Sequence, residues 1–267
     1  MAMTNTLFTE TPDGKHISHS ATLAFLVQNN DAYAYATYMG AKSAPMAMHM
    51  AAAHGRWGAE TTCTYETAYN IAFDTDLPFF DRPARYMRSV GESTGGAAIA
   101  LAKAFSHLNF IVQDVPGNAE DKRKAAQSLP EDVASRLTFQ AHNFTNLQPV
   151  QGADIYLLRM ILHDWPDAKA IAILKNIVAA IDMKKTTSRL LIMDTVFPSP
   201  GSVPVSVERL VRVRDLTMLQ AFNSKERDLE NWRGLIAAVY PDLCLVGVVQ
   251  PFGSAMSVLE LSLGPAE

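Results

Sequence analysis

The sequence predicts an α/β protein in which a helical region precedes a region of alternating helices and strands. Three observations indicate this class. Helix-like and strand-like segments alternate after residue 90, which is typical of a parallel sheet covered by helices. An apolar run that begins at Ile155 leads directly into His163 and then into a helix start. The chain closes with two strand-like segments around a Pro-Phe-Gly-Ser-Ala turn, which predicts an antiparallel hairpin.

The segments before residue 90 are short and are separated by polar breaks. Hydrophobic spacing predicts helices or helical turns there, at 20–27, 32–38, 45–53 and 64–73. The elements predicted next, in chain order, are helix 97–105, strand 109–113, helix 120–129, strand 137–141, strand 153–162, helix 168–181 and strand 189–194. Helices follow at 205–222 and 229–239, and the final hairpin has strands at 243–250 and 256–263. We therefore divide the chain into a helical region, 1–90, and a sheet-containing domain, 91–267.

Two of these helices carry clear local signals. In helix 168–181 the apolar residues recur at steps of three and four, so one face should pack on the sheet: Ile171, Leu174, Ile177, Val178 and Ile181. Asp164, Asp167 and the intervening Pro166 suit the start of that helix, because acids favour its positive end and proline tolerates a first turn. Asp228 is placed to cap the helix at 229–239.

Composition favours a folded protein with a small-molecule partner. The 267 residues are 48% hydrophobic, which suffices for one large core. The net charge is −4, and no basic run is interleaved with aromatic residues, so nucleic acid and membrane partners are not expected. The two cysteines, Cys63 and Cys244, lie far apart, which favours reduced thiols. We find neither a signal-peptide pattern nor about 18 consecutive apolar residues, and expect a cytoplasmic protein without a metal site.

Four phrases carry a resemblance to a known family. They occupy residues 109–116, 152–167, 214–219 and 224–227, the second reading Gly-Ala-Asp-Ile-Tyr-Leu-Leu-Arg-Met-Ile-Leu-His-Asp-Trp-Pro-Asp. The chain resembles the fungal branch of the plant-type S-adenosylmethionine-dependent O-methyltransferases, of which caffeate O-methyltransferase is one. This resemblance implies a class I methyltransferase (Rossmann-like) sheet ending in an antiparallel hairpin, with an N-terminal helical region.

Part of the helical region also resembles that family. Residues 3–80 are similar to a part of the family that begins at the tail of its N-terminal winged-helix dimerisation domain, and most of that domain has no counterpart here. In the family this domain interlocks two subunits. The resemblance therefore implies a monomer or a weak homodimer.

The resemblance implies that His163 is the general base of methyl transfer. A phenol must lose its proton as it attacks the sulfonium methyl group, and an imidazole with a pKa of about 6.5 can take that proton near neutrality. Asp194 and Glu226 match the two acids with which the family orients its histidine. Without the flanking phrases, all three residues would read as ordinary cap residues or solvated acids.

The glycine-rich turn of the cofactor site departs from the family pattern. Gly91, Ser93 and Gly95 can be laid over it, but Glu92 stands where a glycine is expected. The residues just before this turn resemble a helix that the family places well upstream. We therefore expect the first, central strand of the sheet to be missing. Either residues 86–92 act as a replacement strand, or the sheet closes up in a changed order.

Other positions of the cofactor and acceptor sites match the family. Asp114 would bind the ribose hydroxyls of S-adenosylmethionine, as a carboxylate does in related sheets. Asn143 and Phe144 match the adenine site, and an amide can still accept a hydrogen bond from the adenine amino group. Arg159 occupies a basic position near the cofactor. The family positions that line the acceptor pocket are Met160, Met218 and Asn223, although methionines at helical spacing also fill cores.

Two functions follow as hypotheses. The first is an O-methyltransferase that uses S-adenosylmethionine on a phenolic or enolic secondary metabolite. The alternative is a methyltransferase-like cyclase or pericyclase of natural-product assembly, or a noncatalytic remnant, that no longer transfers methyl groups. The altered turn at Gly91 and Glu92 favours the alternative, and the intact run from Arg159 to Asp167 favours neither.

Overall fold

The computed structural model describes residues 8–13, 15–81, 95–182 and 187–264. The chain forms two compact units, the first from residues 1–59 and 65–92, the second from 60–64 and 93–267. The domain boundary predicted at residue 90 stays a prediction, because residues 82–94 lie outside the described ones. In the part of the chain that is described, no helix combines the length and apolar character needed to cross a bilayer.

In its described residues, the first unit combines a short hairpin with five α-helices. Strands β1 (Phe8–Glu10) and β2 (Ile17–His19) pair antiparallel. The hairpin was not predicted. The helices are α1 (Ala21–Gln28), α2 (Asn30–Tyr38), α3 (Ala44–Met48), α4 (Met50–Trp57) and α5 (Ala68–Ala72). Polar breaks in the sequence act as caps, since Ser20 and Asn29 accept hydrogen bonds from the first turns of α1 and α2.

The second unit contains the sheet strands and the longer helices. Its helices are α6 (Gly96–Ala104), α7 (Pro116–Ala126), α8 (Glu131–Ala134), α9 (Asp167–Val178), α10 (Val205–Phe222) and α11 (Leu229–Ala237). Its strands are β3 (Phe110–Asp114), β4 (Leu137–Ala141), β5 (Ile155–Arg159), β6 (Arg189–Asp194), β7 (Val196–Phe197), β8 (Arg227–Asp228), β9 (Leu243–Val249) and β10 (Ser257–Leu263). The bounds predicted for β4, β6 and α10 are confirmed, and so is the closing antiparallel hairpin.

Strand β5 is shorter than predicted. It ends at Arg159 because Met160 adopts a left-handed backbone, with φ of 53°. The prediction that the strand continues to residue 162 was wrong. A 3-10 turn, Leu162–Asp164, follows instead and carries His163.

The strands form two separate groups. One sheet has the order β5-β6-β10-β9, with β5 parallel to β6, and the other is the parallel pair β3-β4. Among the described residues, one edge of β3 and one edge of β5 have no strand partner. Three aliphatic side chains on these strands are half-exposed, namely Ile111, Ile155 and Leu157. The expected loss of a central strand stays a prediction, because residues 82–94 lie outside the described ones. The described strands do not close up, and residues 86–92, the predicted replacement, lie outside the described residues.

The main core joins α9 and α11 to the four-stranded sheet. Its fully buried members include Leu174, Leu190, Ile192, Trp232, Leu259 and Leu261. The predicted apolar face of α9 is confirmed, because its buried side chains include Leu174, Ile177 and Val178. Burial of such side chains stabilises the fold by about 1.5–3 kcal/mol each. This core fixes the carboxyl ends of β5 and β6, where His163 and Asp194 lie.

Candidate active site

His163 is turned back toward the end of β6 by the chain reversal after β5. The left-handed Met160 makes this reversal, and its N–H donates to the carbonyl of Met193 at 3.0 Å. The backbone N–H of His163 then donates to Asp194 Oδ2 at 3.3 Å. A non-glycine residue in this conformation costs about 1–3 kcal/mol, and such strain clusters at functional sites.

Three carboxylates surround the imidazole of His163, which is only 5% exposed. Its Nδ1 lies 3.2 Å from Glu226 Oε1 and 3.3 Å from Asp194 Oδ1. Its Nε2 lies 3.5 Å from Asp164 Oδ1. Two acids occupy the Nδ1 side, whereas Nε2 faces Asp164 at the longer distance of 3.5 Å, so Nε2 is the better placed ring nitrogen for a proton exchanged with a ligand.

These acids hold a proton on the ring. Burial acts to lower the pKa of His163, but the hydrogen bond with Glu226 and the charges of Asp164 and Asp194 outweigh it. They raise the pKa to about 9. At neutral pH, His163 is therefore an imidazolium rather than the neutral ring that its ordinary pKa would give.

The acids themselves are perturbed by sharing a buried space. Burial is the first cause that raises the pKa of Asp164, to about 7, and His163 opposes it while Asp194 and Glu226 add to it. Burial also raises the pKa of Asp194 above its ordinary value, against the opposing charge of His163. The cluster thus combines groups that exchange protons between about pH 7 and 9. Sequence reasoning assigned Asp164 to the helix start, although its position directly after His163 was the available signal.

A short backbone pairing brings the two acids on the Nδ1 side together. Strand β7 follows Asp194, strand β8 follows Glu226, and the two strands pair in parallel. The N–H of Glu226 also donates to Asp215 Oδ1 at 3.0 Å. Within the described part of the chain, Glu226 Oε2 is buried and has no hydrogen-bond partner. The cluster therefore keeps one unsatisfied acceptor.

The same side chains have the composition of a metal site. One donor atom each from His163, Asp194 and Glu226 lie within 4.8 Å of one another, so they could hold a metal ion. In the arrangement described above, His163 Nδ1 is hydrogen-bonded to Glu226 Oε1 and ion-paired with Asp194 Oδ1. The sequence analysis predicts no metal site, and this expectation stays a prediction.

The predicted cofactor residues lie largely at the ends of strands, and two lie outside the described residues, Gly91 and Ser93. Gly95 has φ of 77° and precedes α6, and a Cβ there would meet the Phe139 ring at 3.4 Å. Both features favour glycine. Asp114 ends β3, and its Oδ1 accepts hydrogen bonds from Val115 N at 2.7 Å and from Asn118 at 3.1 Å.

The residues predicted for the adenine side follow β4. Asn143 is exposed and its Oδ1 accepts hydrogen bonds from Thr145, while Phe144 packs edge-on against Trp165. Arg159, the basic candidate, is exposed at the end of β5. His142 was not predicted, yet its Nε2 is buried without a hydrogen-bond partner among the described residues. An orphaned ring nitrogen beside Asn143 is a group that a bound nucleoside could satisfy.

The three predicted acceptor residues occupy different surroundings. Met160 is partly buried at the reversal before His163, and Met218 is buried in α10. Asn223 ends α10 in a left-handed conformation, and its amide donates to the carbonyl of Cys63 at 2.8 Å. Residues 60–64 belong to the second unit, so this contact lies within that unit. The role of all three residues stays a prediction.

Comparison with known proteins decides the family. Residues 49–239 match a family model that is described as an O-methyltransferase domain. O-methyltransferase pgmB of Aspergillus terreus is 57% identical over 303 residues, which cover 98% of this chain and 84% of the relative. The chain belongs to the O-methyltransferase family. O-methyltransferase VdtC of Byssochlamys spectabilis is 40% identical to this chain. The alignment covers 99% of this chain and 69% of VdtC.

Solved structures agree with this O-methyltransferase fold. The structure described as the LepI complex with SAM has a TM-score of 0.79 at 23% identity, and covers 99% of this chain and 74% of LepI. The structure of OxaC in complex with SAH and oxaline has a TM-score of 0.78 at 20% identity, and covers 96% of this chain and 72% of OxaC. The predicted class I methyltransferase fold is therefore confirmed.

The relatives are longer than this O-methyltransferase inside the aligned region. The alignment with pgmB spans 303 positions, whereas the chain has 267 residues, so at least 36 positions of pgmB have no counterpart here. The alignment with VdtC spans 305 positions.

Proposed function

We propose that this O-methyltransferase transfers a methyl group to a hydroxyl of a phenolic or enolic secondary metabolite, with S-adenosylmethionine as donor. The observation that carries the proposal is the His163 ring, whose Nδ1 lies between Glu226 and Asp194 while Nε2 remains for the acceptor hydroxyl. Membership of the O-methyltransferase family supports it.

The described residues fit the nucleoside half of the donor. Asp114 would bind the ribose hydroxyls, and Asn143 and Phe144 would contact the adenine, beside the orphaned His142 Nε2. Gly95 leaves room for the backbone at the start of α6. When bound, the donor supplies an activated methyl group on a sulfonium.

The remaining task of the protein's own residues is to accept the proton of the acceptor hydroxyl. Neutral His163 would take the hydroxyl proton at Nε2, and the imidazolium that forms is stabilised by Glu226 and Asp194. A pKa of about 9 makes the ring a strong proton acceptor. The same pKa leaves only about one ring in a hundred neutral at pH 7, since each pH unit changes the ratio tenfold. The acceptor is therefore deprotonated most readily at alkaline pH.

Two measurements test this proposal. Titration calorimetry with S-adenosylhomocysteine tests the donor site, and no heat at high micromolar ligand contradicts it. Mass spectrometry then tests transfer from S-adenosylmethionine to hydroxynaphthalenes, which serve as probe phenols. A gain of one methyl group per product supports the proposal. Binding of the nucleoside without transfer to any probe shifts support to the second function.

The second function is a cyclase or pericyclase that uses the same cleft. It is favoured by the proton that His163 holds up to about pH 9, because a charged ring can donate a hydrogen bond to a reacting carbonyl. The structural match described as a pericyclic reaction enzyme has a TM-score of 0.76 at 23% identity, which supports a shared fold only. Conversion of a substrate without change of mass would support this function.

The partner predictions are carried forward as part of the proposal. The protein would act on a small molecule as a monomer or weak homodimer in the cytoplasm. Light scattering across a range of concentrations tests the assembly, and a tight dimer contradicts it. A fluorescent fusion tests the location.

A further inference from the structure

Arg227 is a charged side chain with no exposed surface, next to Glu226 in the chain. All three of its donor nitrogens are used. Its Nε donates to Asp167 Oδ1 at 2.9 Å, Nη1 to the carbonyl of Leu162 at 2.8 Å, and Nη2 to the carbonyl of Trp165 at 2.7 Å. An arginine buried this completely is retained only where its hydrogen bonds compensate the loss of water.

The two carbonyls that Arg227 binds lie on either side of His163. Leu162 precedes it and Trp165 follows it by two residues, so the guanidinium spans the 3-10 turn that carries the imidazole. Within the turn, the N–H of Trp165 also donates to the Leu162 carbonyl, at 3.2 Å. The planar guanidinium has its donors in a fixed geometry, which the flexible ammonium of lysine cannot reproduce.

The Arg227 guanidinium is also linked, through Trp232, to the segment that follows Asp194. The guanidinium lies 5.3 Å from the centre of the Trp232 ring, whose Nε1 donates to the carbonyl of Thr195 at 3.2 Å. One side chain is therefore linked to each of the three segments that carry the imidazole and its two Nδ1-side acids. It is not itself among the groups that set the charge state of His163.

We propose that Arg227 is a positioning residue, which fixes the turn at 162–165 so that His163 Nδ1 stays on Asp194 and Glu226. The counter-ion is Asp167. Burial acts to raise the pKa of Asp167, but the hydrogen bond and charge of Arg227, followed by those of Lys225, lower it. The consequence for turnover rests on the proposed function, whereas the geometric role does not.

The test compares Arg227→Lys with a matched control. Arg189→Lys changes an arginine of β6, in the four-stranded sheet, that donates to Glu260 at 3.0 Å and to the Ser188 carbonyl at 3.0 Å, at the end of β6 opposite Asp194. The readout is the pKa of His163 from a nuclear magnetic resonance titration of the labelled ring. Arg227→Lys is expected to lower this pKa from about 9 toward 6.5, because the ring leaves its acids, while Arg189→Lys leaves it unchanged.

A folded Arg227→Lys protein with an unchanged His163 pKa overturns the proposal. If Arg227→Lys does not fold, Asp167→Ala decides, because that side chain is 49% exposed and its loss removes the acceptor of Arg227 Nε, the ion pair with Nη2 and the ion pair with Lys225, while both carbonyl contacts of the guanidinium remain available. A smaller fall of the His163 pKa supports the proposal, and no change overturns it. If the wild type transfers methyl groups, kcat in Arg227→Lys should fall about 10- to 100-fold with donor affinity retained. A wild type without turnover contradicts the proposed function alone, since the ring titration still reports on Arg227.

Discussion

His163 Nδ1 lies 3.2 Å from Glu226 Oε1, although 63 residues separate the two along the chain. The contact depends on the pairing of β7 with β8, which places Val196, two residues after Asp194, opposite Arg227, the residue after Glu226. It leaves Nε2 as the nitrogen for the acceptor hydroxyl. The first prediction follows from these different roles of the two ring nitrogens.

Replacing His163 by alanine should lower methyl transfer about 10²- to 10⁴-fold, the range of general base catalysis. Affinity for S-adenosylhomocysteine should stay near the wild-type value, because the predicted donor residues lie elsewhere. Single-turnover assays and calorimetry measure the two quantities. Unchanged turnover would remove the base assignment, and Arg189→Lys serves as the control for general damage.

The rate of methyl transfer should rise with pH up to about pH 9. The reason is that the base must be neutral, whereas its acids raise the pKa of His163 to about 9. Changing Glu226 to glutamine should shift the rising part of the pH–rate profile to lower pH, because the hydrogen bond with Glu226 is the largest cause that raises the pKa of His163. A pH profile of kcat/KM measures the effect. A plateau from pH 6.5 upward in the wild type would contradict it.

Stability should decrease between about pH 4 and pH 9. The folded pKa of His163 lies above its unfolded value of 6.5, so its stabilisation is complete below pH 6.5 and is lost as pH rises through 9. The raised pKa of Asp164 acts in the same direction from 3.8 to about 7. The expected loss for His163 is about 2–3 kcal/mol. Urea unfolding at several pH values measures it, and a steeper decline in His163→Gln than in wild type would refute this account.

Filling the gap in the sheet should stabilise the protein. We expect that inserting the pgmB segment without counterpart here, ahead of Gly91, raises both Tm and affinity for S-adenosylhomocysteine, since a strand would pair with β3 and β5. A glycine and serine insertion of equal length is the control, because it adds chain without pairing. Equal behaviour of the two insertions would show that the gap is not the strand position.

The sequence predicted those parts of the fold that depend on local pattern. Helix α10 shows an amphipathic pattern over its whole length, and His163 was placed at a strand end because an apolar run leads into it. The hairpin of β1 and β2 was missed because its strands are short and exposed. Arg227 was missed as part of the site because its role arises from tertiary contacts, whereas Asp164 was assigned to the helix start although it adjoins His163 in the chain. No periodicity reveals that a buried guanidinium spans a turn 65 residues away.

The split sheet also affects how molecules of this protein meet each other. In the described part of the chain, β3 and β5 each present a row of backbone amides and carbonyls beside half-exposed aliphatic side chains. Such rows are templates for intermolecular β-pairing, and natural proteins usually protect them with charges, bulges or covering helices. Concentrated preparations should therefore self-associate through added strands, with a sharp amide I band in the infrared spectrum as the sign of aggregation.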